Sequence, residues 1–259
     1  MLLLLSPAKS LDYERALPAG LPPYTLPPFI EQSQQLIEVL RQRSPQEIAQ
    51  LMSISDKLAQ LNTARYAAWS PQFTDRNARA ALFAFNGDVY EGLDAYSFNS
   101  SDIAWAQEHL LMLSGLYGAL RPLDLMQPYR LEMGTRLATS QGSNLYQFWG
   151  TRIAQFINER LERAAHPVVV NLASQEYFKS VDLPHLKARV VECVFEDYKG
   201  GAYKIISFHA KHARGLMARH VVQNRLTQPE QLMTFDANGY AYAPEASNPK
   251  RLVFRRNMA

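Results

Sequence analysis

The segment between Tyr198 and Pro229 carries positive charge without any compensating acid. It contains six Lys or Arg residues and three His residues, but no Asp or Glu. The whole chain has 27 basic and 24 acidic residues and a net charge of +3, so the remainder without these cations is slightly acidic. A local excess of positive charge attracts polyanions such as the phosphate backbone of nucleic acids. The segment is therefore a candidate nucleic-acid contact.

The order of apolar and basic residues predicts the elements that hold these cations. Residues 204–208 are predicted as a short buried strand and residues 209–225 as a helix. At about 100° per residue, the apolar residues of that helix share one face, and Lys211, Arg214 and Arg219 lie on or beside the opposite face. The pattern predicts a helix that buries one side and offers cations on the other. A solvated helix that contributes only solubility is the alternative.

Polar residues also follow several predicted buried strands. Apolar runs predict such strands at residues 2–5, 81–85, 110–113, 168–172 and 190–195. Ligands bind beyond the carboxyl ends of parallel strands, so polar residues there are candidates for a shared cleft. These residues are Lys9, Asp88, Arg121, Asn171 and Lys179. The alternative is that each of them makes a turn, caps a helix or faces solvent.

Such a cleft could support catalysis on a nucleotide, a nucleobase or a DNA lesion. Asp88 or Glu132 could act as a general acid or base, and Arg121 or Lys9 could bind a phosphate. The remaining polar candidates are Tyr117 and Asn171. The chain lacks a Gly-x-Ser-x-Gly elbow, a His-Glu-x-x-His motif and a phosphate loop ending in Gly-Lys-Ser/Thr. The residues alone therefore leave open whether the protein is an enzyme.

The chain offers few metal ligands and a single thiol. Its one cysteine, Cys193, excludes an intrachain disulfide and a thiolate-rich metal site. His209 and His212 are three residues apart and could face one metal, but no carboxylate lies nearby in the sequence to complete a site. We therefore predict no metal and no cofactor, and direct sequestration of iron is poorly supported.

Two short helices are predicted between residues 44 and 69. A Ser-Pro pair marks the start of the first helix, which ends near residue 52, and the second covers residues 56–69. The second helix offers backbone N–H groups of its first turn to a phosphate, and Lys57 and Arg65 could add side-chain contacts. The pair resembles a helix-hairpin-helix, which contacts the DNA backbone without reading bases. The usual glycines of that hairpin are absent, and an ordinary helical corner is the alternative.

The remaining pattern predicts a mixed α/β (α+β) fold. Further helices are predicted at residues 29–43 and 146–163, another begins near residue 75, and a hairpin loop covers residues 196–201. We expect a single compact domain over residues 1–259, with an irregular mixed sheet and flanking helices. The first apolar residues are too few for a signal peptide, and no run approaches the length of a membrane span, so we expect a cytoplasmic protein.

Several longer motifs occur together in a characteristic order. They are SPAK (6–9), ISDKL (54–58), GDVY (87–90), LSGLYG (113–118), RPLDLMQPYRLEMG (121–134), NLAS (171–174), EYFK (176–179) and AKHARGLM (210–217). In these motifs the chain resembles the bacterial YaaA family over almost its whole length. The resemblance implies a cytosolic protein of the peroxide-stress response that limits iron-linked oxidative damage. It also implies an unusual mixed α/β fold with a basic cleft and a helix-hairpin-helix-like element.

The resemblance further implies binding of duplex DNA and of distorted, bubble or branched DNA, in a context of recombination and repair. The helical corner contributes Arg65 as a candidate contact. Carried over by position, the other implied DNA-binding residues are Lys9, Lys57, Lys179, Lys204, Lys211, Arg214 and Arg219. The family provides no catalytic residue to carry over, and the oligomeric state is not predicted.

Overall fold

A mixed eight-stranded sheet forms the centre of the computed structural model, which describes residues 1–257. The strands of the chain are β1 (Leu2–Leu5), β2 (Ser10–Leu11), β3 (Arg79–Ala80), β4 (Phe85–Asn86), β5 (Leu110–Ser114), β6 (Gly118–Leu120), β7 (Leu125–Met126), β8 (Val168–Asn171), β9 (Arg189–Lys199), β10 (Ala202–Lys204), β11 (Ala241–Tyr242) and β12 (Arg251–Asn257). The central sheet has the order β11-β12-β9-β8-β1-β5-β6, with β10 paired to β9. The two remaining pairs, β2 with β4 and β3 with β7, lie outside it.

Helices flank this sheet. The α-helices are α1 (Ile30–Arg41), α2 (Pro45–Met52), α3 (Asp56–Ala68), α4 (Ala81–Ala84), α5 (Asp88–Leu93), α6 (Ser100–His109), α7 (Leu145–Trp149), α8 (Arg152–Arg160), α9 (Gln175–Phe178) and α10 (Ser207–Asn224). Short 3₁₀ helices cover Ala95–Ser97, Leu183–His185, Pro229–Thr234 and Pro244–Ala246. The predicted mixed α/β domain with an irregular sheet and flanking helices is confirmed.

The parallel strands bring the ends of β1, β5 and β8 to one edge of the sheet. β1 pairs in parallel with β5 on one side and with β8 on the other. All four leucines of β1 are fully buried, as expected for a strand that is covered by side chains on both faces. The residues that follow these three strands therefore form a common edge, where a ligand site was predicted.

Two glycines let α5 and α10 cross at very short range. A Cβ atom on Gly215 would lie 1.9 Å from the carbonyl oxygen of Val89, and one on Gly92 would lie 2.2 Å from the carbonyl oxygen of His212. Only glycine allows two helix backbones to approach so closely. The crossing fixes α10 between the sheet and α5, so one helix packs against both.

Five predicted elements differ from the structure. The hairpin loop predicted at residues 196–201 is confined to Gly200 and Gly201, because β9 continues to Lys199. The strand predicted at residues 81–85 is the buried helix α4 up to Ala84, because a short apolar run does not distinguish a strand from a buried helix, and only Phe85 is extended, in β4. No helix starts near residue 75, where the side chain of Asn77 closes a turn. Residues 146–163 form two helices, separated at Gly150, whose φ is +49°. The predicted strand 204–208 is also wrong, because β10 ends at Lys204 and α10 begins at Ser207.

The predicted helical corner is present as α2 and α3. Ser44 and Glu47 form a capping box at the start of α2, as the sequence predicted. Ser53 adopts the left-handed conformation (φ 51°) at the end of α2, where a glycine is common, and Ser55 caps α3. The two helices and their short connection are therefore confirmed, whereas their likeness to a helix-hairpin-helix stays a prediction.

Candidate nucleic-acid interface

The structure pairs or buries most of the cations on α10. Arg219 lies 3.0 Å from Asp94, at the end of α5, and Arg225 lies 2.7 Å from Asp102 in α6. Arg214 packs toward β9; its Nε is buried without a hydrogen-bond partner, and burial lowers the pKa of its guanidinium. Of the three cations predicted to lie on its open face, only Lys211 is exposed. The prediction of an open cationic face is therefore wrong for Arg214, which is largely buried toward β9, and for Arg219, which is paired with Asp94, whereas Lys211 is open to solvent.

This arrangement predicts opposite outcomes for two charge reversals on α10. Arg214→Glu is expected to lower the free energy of unfolding by roughly 2 kcal/mol, because it places a carboxylate at a largely buried position near Glu192. Lys211→Glu is expected to change it by less than about 0.5 kcal/mol, because its side chain is in solvent. Urea denaturation of both variants measures the difference. Equal stabilities would contradict the burial of Arg214.

At the strand ends, a compact ion-pair cluster contains two of the predicted residues. Lys9 Nζ donates to Glu132 Oε2 at 2.7 Å, and the other oxygen of Glu132 accepts from Arg130 at 3.1 Å. Beside them, Ser6 Oγ accepts the backbone N–H of Ser174 at 2.9 Å, which ties the end of β1 to the start of α9. Lys9 and Glu132 are thus brought together, but as partners of each other.

The strand-end cluster leaves almost no space for a ligand. The cavity between residues 7–9, residues 129–132 and Tyr177 has a volume of about 10 Å³. That volume is close to the minimum for one water molecule, roughly 10–15 Å³. In this conformation, a nucleotide does not fit between Lys9 and Glu132.

The other predicted strand-end residues do not share a cleft. Asp88 begins α5 after Gly87, whose backbone lies against Ala8, near the end of β1. The side chain of Asn171 closes a turn by accepting the N–H of Ala173 at 2.9 Å. Lys179 lies 4.9 Å above the ring of Tyr146. Asn171 and Lys179 thus each have a local structural partner, and Asp88 occupies the first position of α5.

Neither Tyr117 nor Arg121 adds an open polar group to that edge, because Tyr117 lies in the turn after β5 but is buried, and Arg121 lies beyond β6. Tyr117 is fully buried, accepts from the Trp69 indole at 3.0 Å, and has a pKa raised by burial, so its phenol stays protonated. Arg121 follows the antiparallel strand β6, which carries the chain back from the strand ends, and it pairs with the buried Asp124 at 2.8 Å. The predicted convergence of Arg121 with Lys9 is therefore wrong, because β6 reverses the chain direction.

An open cleft with a volume of about 1110 Å³ lies beside α3. We call it the arginine cleft, because four arginines line it: Arg15, Arg65, Arg76 and Arg79. One wall is the exposed side of α3, and another is the chain that continues from β2. The cleft adjoins the strand-end cluster, since the α3 residue Tyr66 donates a hydrogen bond to the carbonyl oxygen of Arg130.

The four arginines of the cleft differ from those of α10 in their partners. Within residues 1–257, none of them has a carboxylate oxygen within 4.0 Å, although Asp12, Glu14 and Asp75 also line the cleft. Asp12 Oδ1 instead accepts the backbone N–H groups of Glu14 and Arg15, each at 2.9 Å. The cleft therefore holds cations whose charge is not neutralised by direct ion pairs.

Local contacts hold these arginines in place. The guanidinium of Arg15 stacks 3.6 Å above the ring of Tyr96, and Arg79 donates to the hydroxyl of Tyr96 at 2.8 Å. Arg65 Nη1 lies 3.4 Å from Asn62 Oδ1, one turn back on α3, and partial burial lowers its pKa. Arg76 is exposed. The cleft thus presents oriented guanidinium groups, which suit bidentate contacts to phosphate.

The sequence identified only Arg65 among these four residues. Arg15 and Arg79 are 64 residues apart, and they meet because β2 and β3 lie on either side of the cleft. No periodic pattern or charge run marked either residue. Of the other predicted contacts, Lys57 is exposed on the first turn of α3, and Lys204 is exposed at the end of β10.

In the part of the chain that the structure describes, no three His, Cys, Asp or Glu side chains come close enough together to hold a metal ion. None of the helices in residues 1–257 combines the length and the apolar character that crossing a membrane requires.

Comparison with known proteins identifies the family. The family model described as "Peroxide stress protein YaaA" matches residues 1–246. A UPF0246 protein of Paracidovorax citrulli is 70% identical over 259 residues, which cover the whole of both chains. UPF0246 proteins of Delftia acidovorans and Bordetella petrii are 68% and 62% identical, over 100% and 99% of each chain. The chain therefore belongs to the peroxide stress protein YaaA family.

Proposed function

We propose that this protein binds DNA through the arginine cleft and the neighbouring face of α3 during peroxide stress. The observation that carries the proposal is the convergence of four arginines, none paired with a carboxylate, on one open cleft of about 1110 Å³. Unpaired cations in a concave surface attract and orient a phosphate backbone. The paired arginines of α10 are excluded from this interface.

The face of α3 beside the cleft supports the same interpretation. Lys57, Leu61 and Arg65 are spaced by four residues, so they lie along one side of the helix. Lys57 and Arg65 are about 12 Å apart along the helix axis, at about 1.5 Å per residue. They can therefore contact separate phosphates. Contacts of this kind position a duplex without reading its sequence.

Binding of this kind gives a physical role in peroxide stress. Ferrous iron and hydrogen peroxide generate radicals that attack the DNA backbone, and a protein bound along that backbone limits their access. We place this activity in the cytoplasm, on duplex and on bubble or branched DNA. Sequence-independent contacts suit all of these substrates.

Charge reversal in the cleft tests the proposal. In Arg65→Glu/Arg76→Glu, the affinity for a labelled duplex at low salt is expected to fall roughly tenfold to hundredfold, because two phosphate contacts are lost. The slope of log affinity against log salt is expected to become shallower by about 2. Fluorescence anisotropy across a salt series, with duplex, bubble, junction and single-stranded DNA, measures both quantities.

The matched control is Lys187→Glu/Lys250→Glu, which makes the same change in net charge at two exposed lysines outside the cleft. We expect it to retain nearly the affinity and salt slope of the wild type. Equal losses in the two double variants would show a diffuse charge effect, and no loss in the cleft variant would exclude this site.

A further inference from the structure

Arg79 is a buried cation that has no carboxylate oxygen within 4.0 Å among the described residues. Its residue is only 8% exposed, although it lines the arginine cleft. One terminal nitrogen donates to the carbonyl oxygen of Arg15 and to the hydroxyl of Tyr96, while the buried Nε has no hydrogen-bond partner among the described residues. A buried, unpaired charge is costly, so its presence at the base of an open cleft points to an anionic ligand.

The cleft is not lined by charge alone. Along α3 it presents the apolar side chains of Leu61, Ala64 and Ala68, and Leu61 is 45% exposed. Apolar surface in solvent adds nothing to contacts with phosphates, but it favours binding of a base and a sugar. The volume of about 1110 Å³ exceeds the roughly 300–1,000 Å³ that is usual for small-molecule sites.

We propose that the arginine cleft holds one unpaired nucleotide, whose phosphate binds Arg79 and whose base and sugar pack against Leu61, Ala64 and Ala68. The inference rests on the proposed function for the source of the nucleotide, which is a DNA strand. In this proposal Arg65 and Arg76 contact the DNA backbone outside the arginine cleft, whereas Arg79 binds the phosphate of the nucleotide within the cleft.

The depth of Arg79 sets which form of DNA can reach it. A phosphate within a continuous, stacked duplex is held on the outside of a stiff cylinder, whereas a nucleotide that has left the stack can enter a cleft. In bubbles, junctions and strand ends, little free energy is needed to unstack and unpair such a nucleotide. The site thereby gives the protein a means of distinguishing distorted DNA from continuous duplex.

Calorimetric titration of the full-length protein with 5′-deoxyadenosine monophosphate tests the site. We expect saturable binding to the wild type, and roughly tenfold or more weaker binding of deoxyadenosine, which lacks the phosphate. Arg79→Gln is expected to weaken binding of the monophosphate by roughly tenfold or more, while Arg79→Lys restores part of it. Lys187→Glu/Lys250→Glu should bind as the wild type does.

A second variant keeps the test decisive if Arg79→Gln fails to fold. Leu61→Glu changes an exposed wall residue, so the fold is retained, and its carboxylate should repel the phosphate and reduce binding by roughly tenfold. Normal binding of the monophosphate by folded Leu61→Glu would overturn the proposal, as would equal affinity for the nucleoside and the monophosphate.

Competition identifies the source of the nucleotide and separates this inference from the proposed function. Displacement of the labelled monophosphate by a single-stranded oligonucleotide, but not by an equal concentration of continuous duplex, assigns the site to an unpaired strand. Displacement by free nucleotides alone assigns the same phosphate-ester site to a soluble ligand. Binding of duplex without any binding of the monophosphate would overturn this inference and leave the proposed function intact. Binding of the monophosphate without any binding of DNA would overturn only the proposed function.

Discussion

Replacing Asp197 with alanine is expected to lower the free energy of unfolding by about 3–5 kcal/mol, which is the usual cost of breaking a buried ion pair. Asp197 is fully buried in β9. Its Oδ1 accepts from Arg256 of β12 at 2.6 and 2.7 Å, and its Oδ2 accepts from the hydroxyl of Tyr240 at 2.9 Å. His209 of α10 lies 3.2 Å from the same oxygen. Removing the carboxylate leaves the largely buried guanidinium of Arg256 without its acidic partner, so that among the described residues only the carbonyl oxygen of Asn238 and the ring of Tyr240 remain in contact with it.

Urea denaturation of Asp197→Ala measures this loss, with Asp182→Ala as the matched control. Asp182 is a surface carboxylate whose only ion-pair partner among the described residues is His185, at 2.7 Å. Exposed pairs of this kind contribute about 0–1 kcal/mol. A cost below about 1 kcal/mol for Asp197→Ala would contradict the importance of the buried cluster, because it would mean that water or a neighbour replaces the carboxylate.

Gly215→Ala is expected to destabilise the protein by about 3 kcal/mol, at or above the upper end of the usual range for overpacking. The new Cβ would lie 1.9 Å from the carbonyl oxygen of Val89 and within 3 Å of the backbone nitrogen of Leu93, so α5 and α10 must separate. Helix propensity alone predicts the opposite sign, because alanine in place of glycine in a helix interior stabilises by about 0.5–1 kcal/mol. The sign of the change therefore distinguishes a close helix crossing from an ordinary helix position.

Thermal and urea unfolding of Gly215→Ala measure the sign of the change in the free energy of unfolding. Gly134→Ala is the control. A Cβ on Gly134 would first meet the end of the Glu176 side chain, at 3.2 Å, and that side chain can move. We expect a change within about 1 kcal/mol there. If Gly215→Ala were as stable as the wild type, the helices would have to be farther apart than the structure places them.

These contacts explain why α10 contributes little to the proposed DNA interface. Its start is held by the Asp197 cluster and its middle crosses α5, while Arg219 pairs with Asp94 and Arg225, at the end of the helix, pairs with Asp102. A charge that is already paired gains less from a phosphate, because the existing ion pair must first be broken. Of the cations within α10 only Lys211 is exposed, so the proposed interface rests on the arginine cleft and the neighbouring face of α3.

Local patterns in the sequence predicted the elements whose signals are contained within a few residues. The apolar run Leu2–Leu5 predicted a buried central strand, and the Ser44 and Glu47 pair predicted the start of α2. Arg65 was predicted beside the interface because α3 follows directly from that corner. The order of the motifs, which identified the family, needed no structure either, since the family model matches residues 1–246.

The sequence by itself determined the family, the mixed α/β class, the longer helices α1, α2, α3 and α10, the strands β1, β5, β8 and β9 of the central sheet, and the excess of cations between residues 198 and 229. Only the tertiary structure decided which cations are available to a ligand. A helical wheel records spacing along one helix, but Arg219 meets Asp94 across 125 residues, and Arg15 meets Arg79 across 64. Chain folding selects such distant partners, so charge counting placed the interface on α10, whereas packing leaves the unpaired arginines in the cleft beside α3.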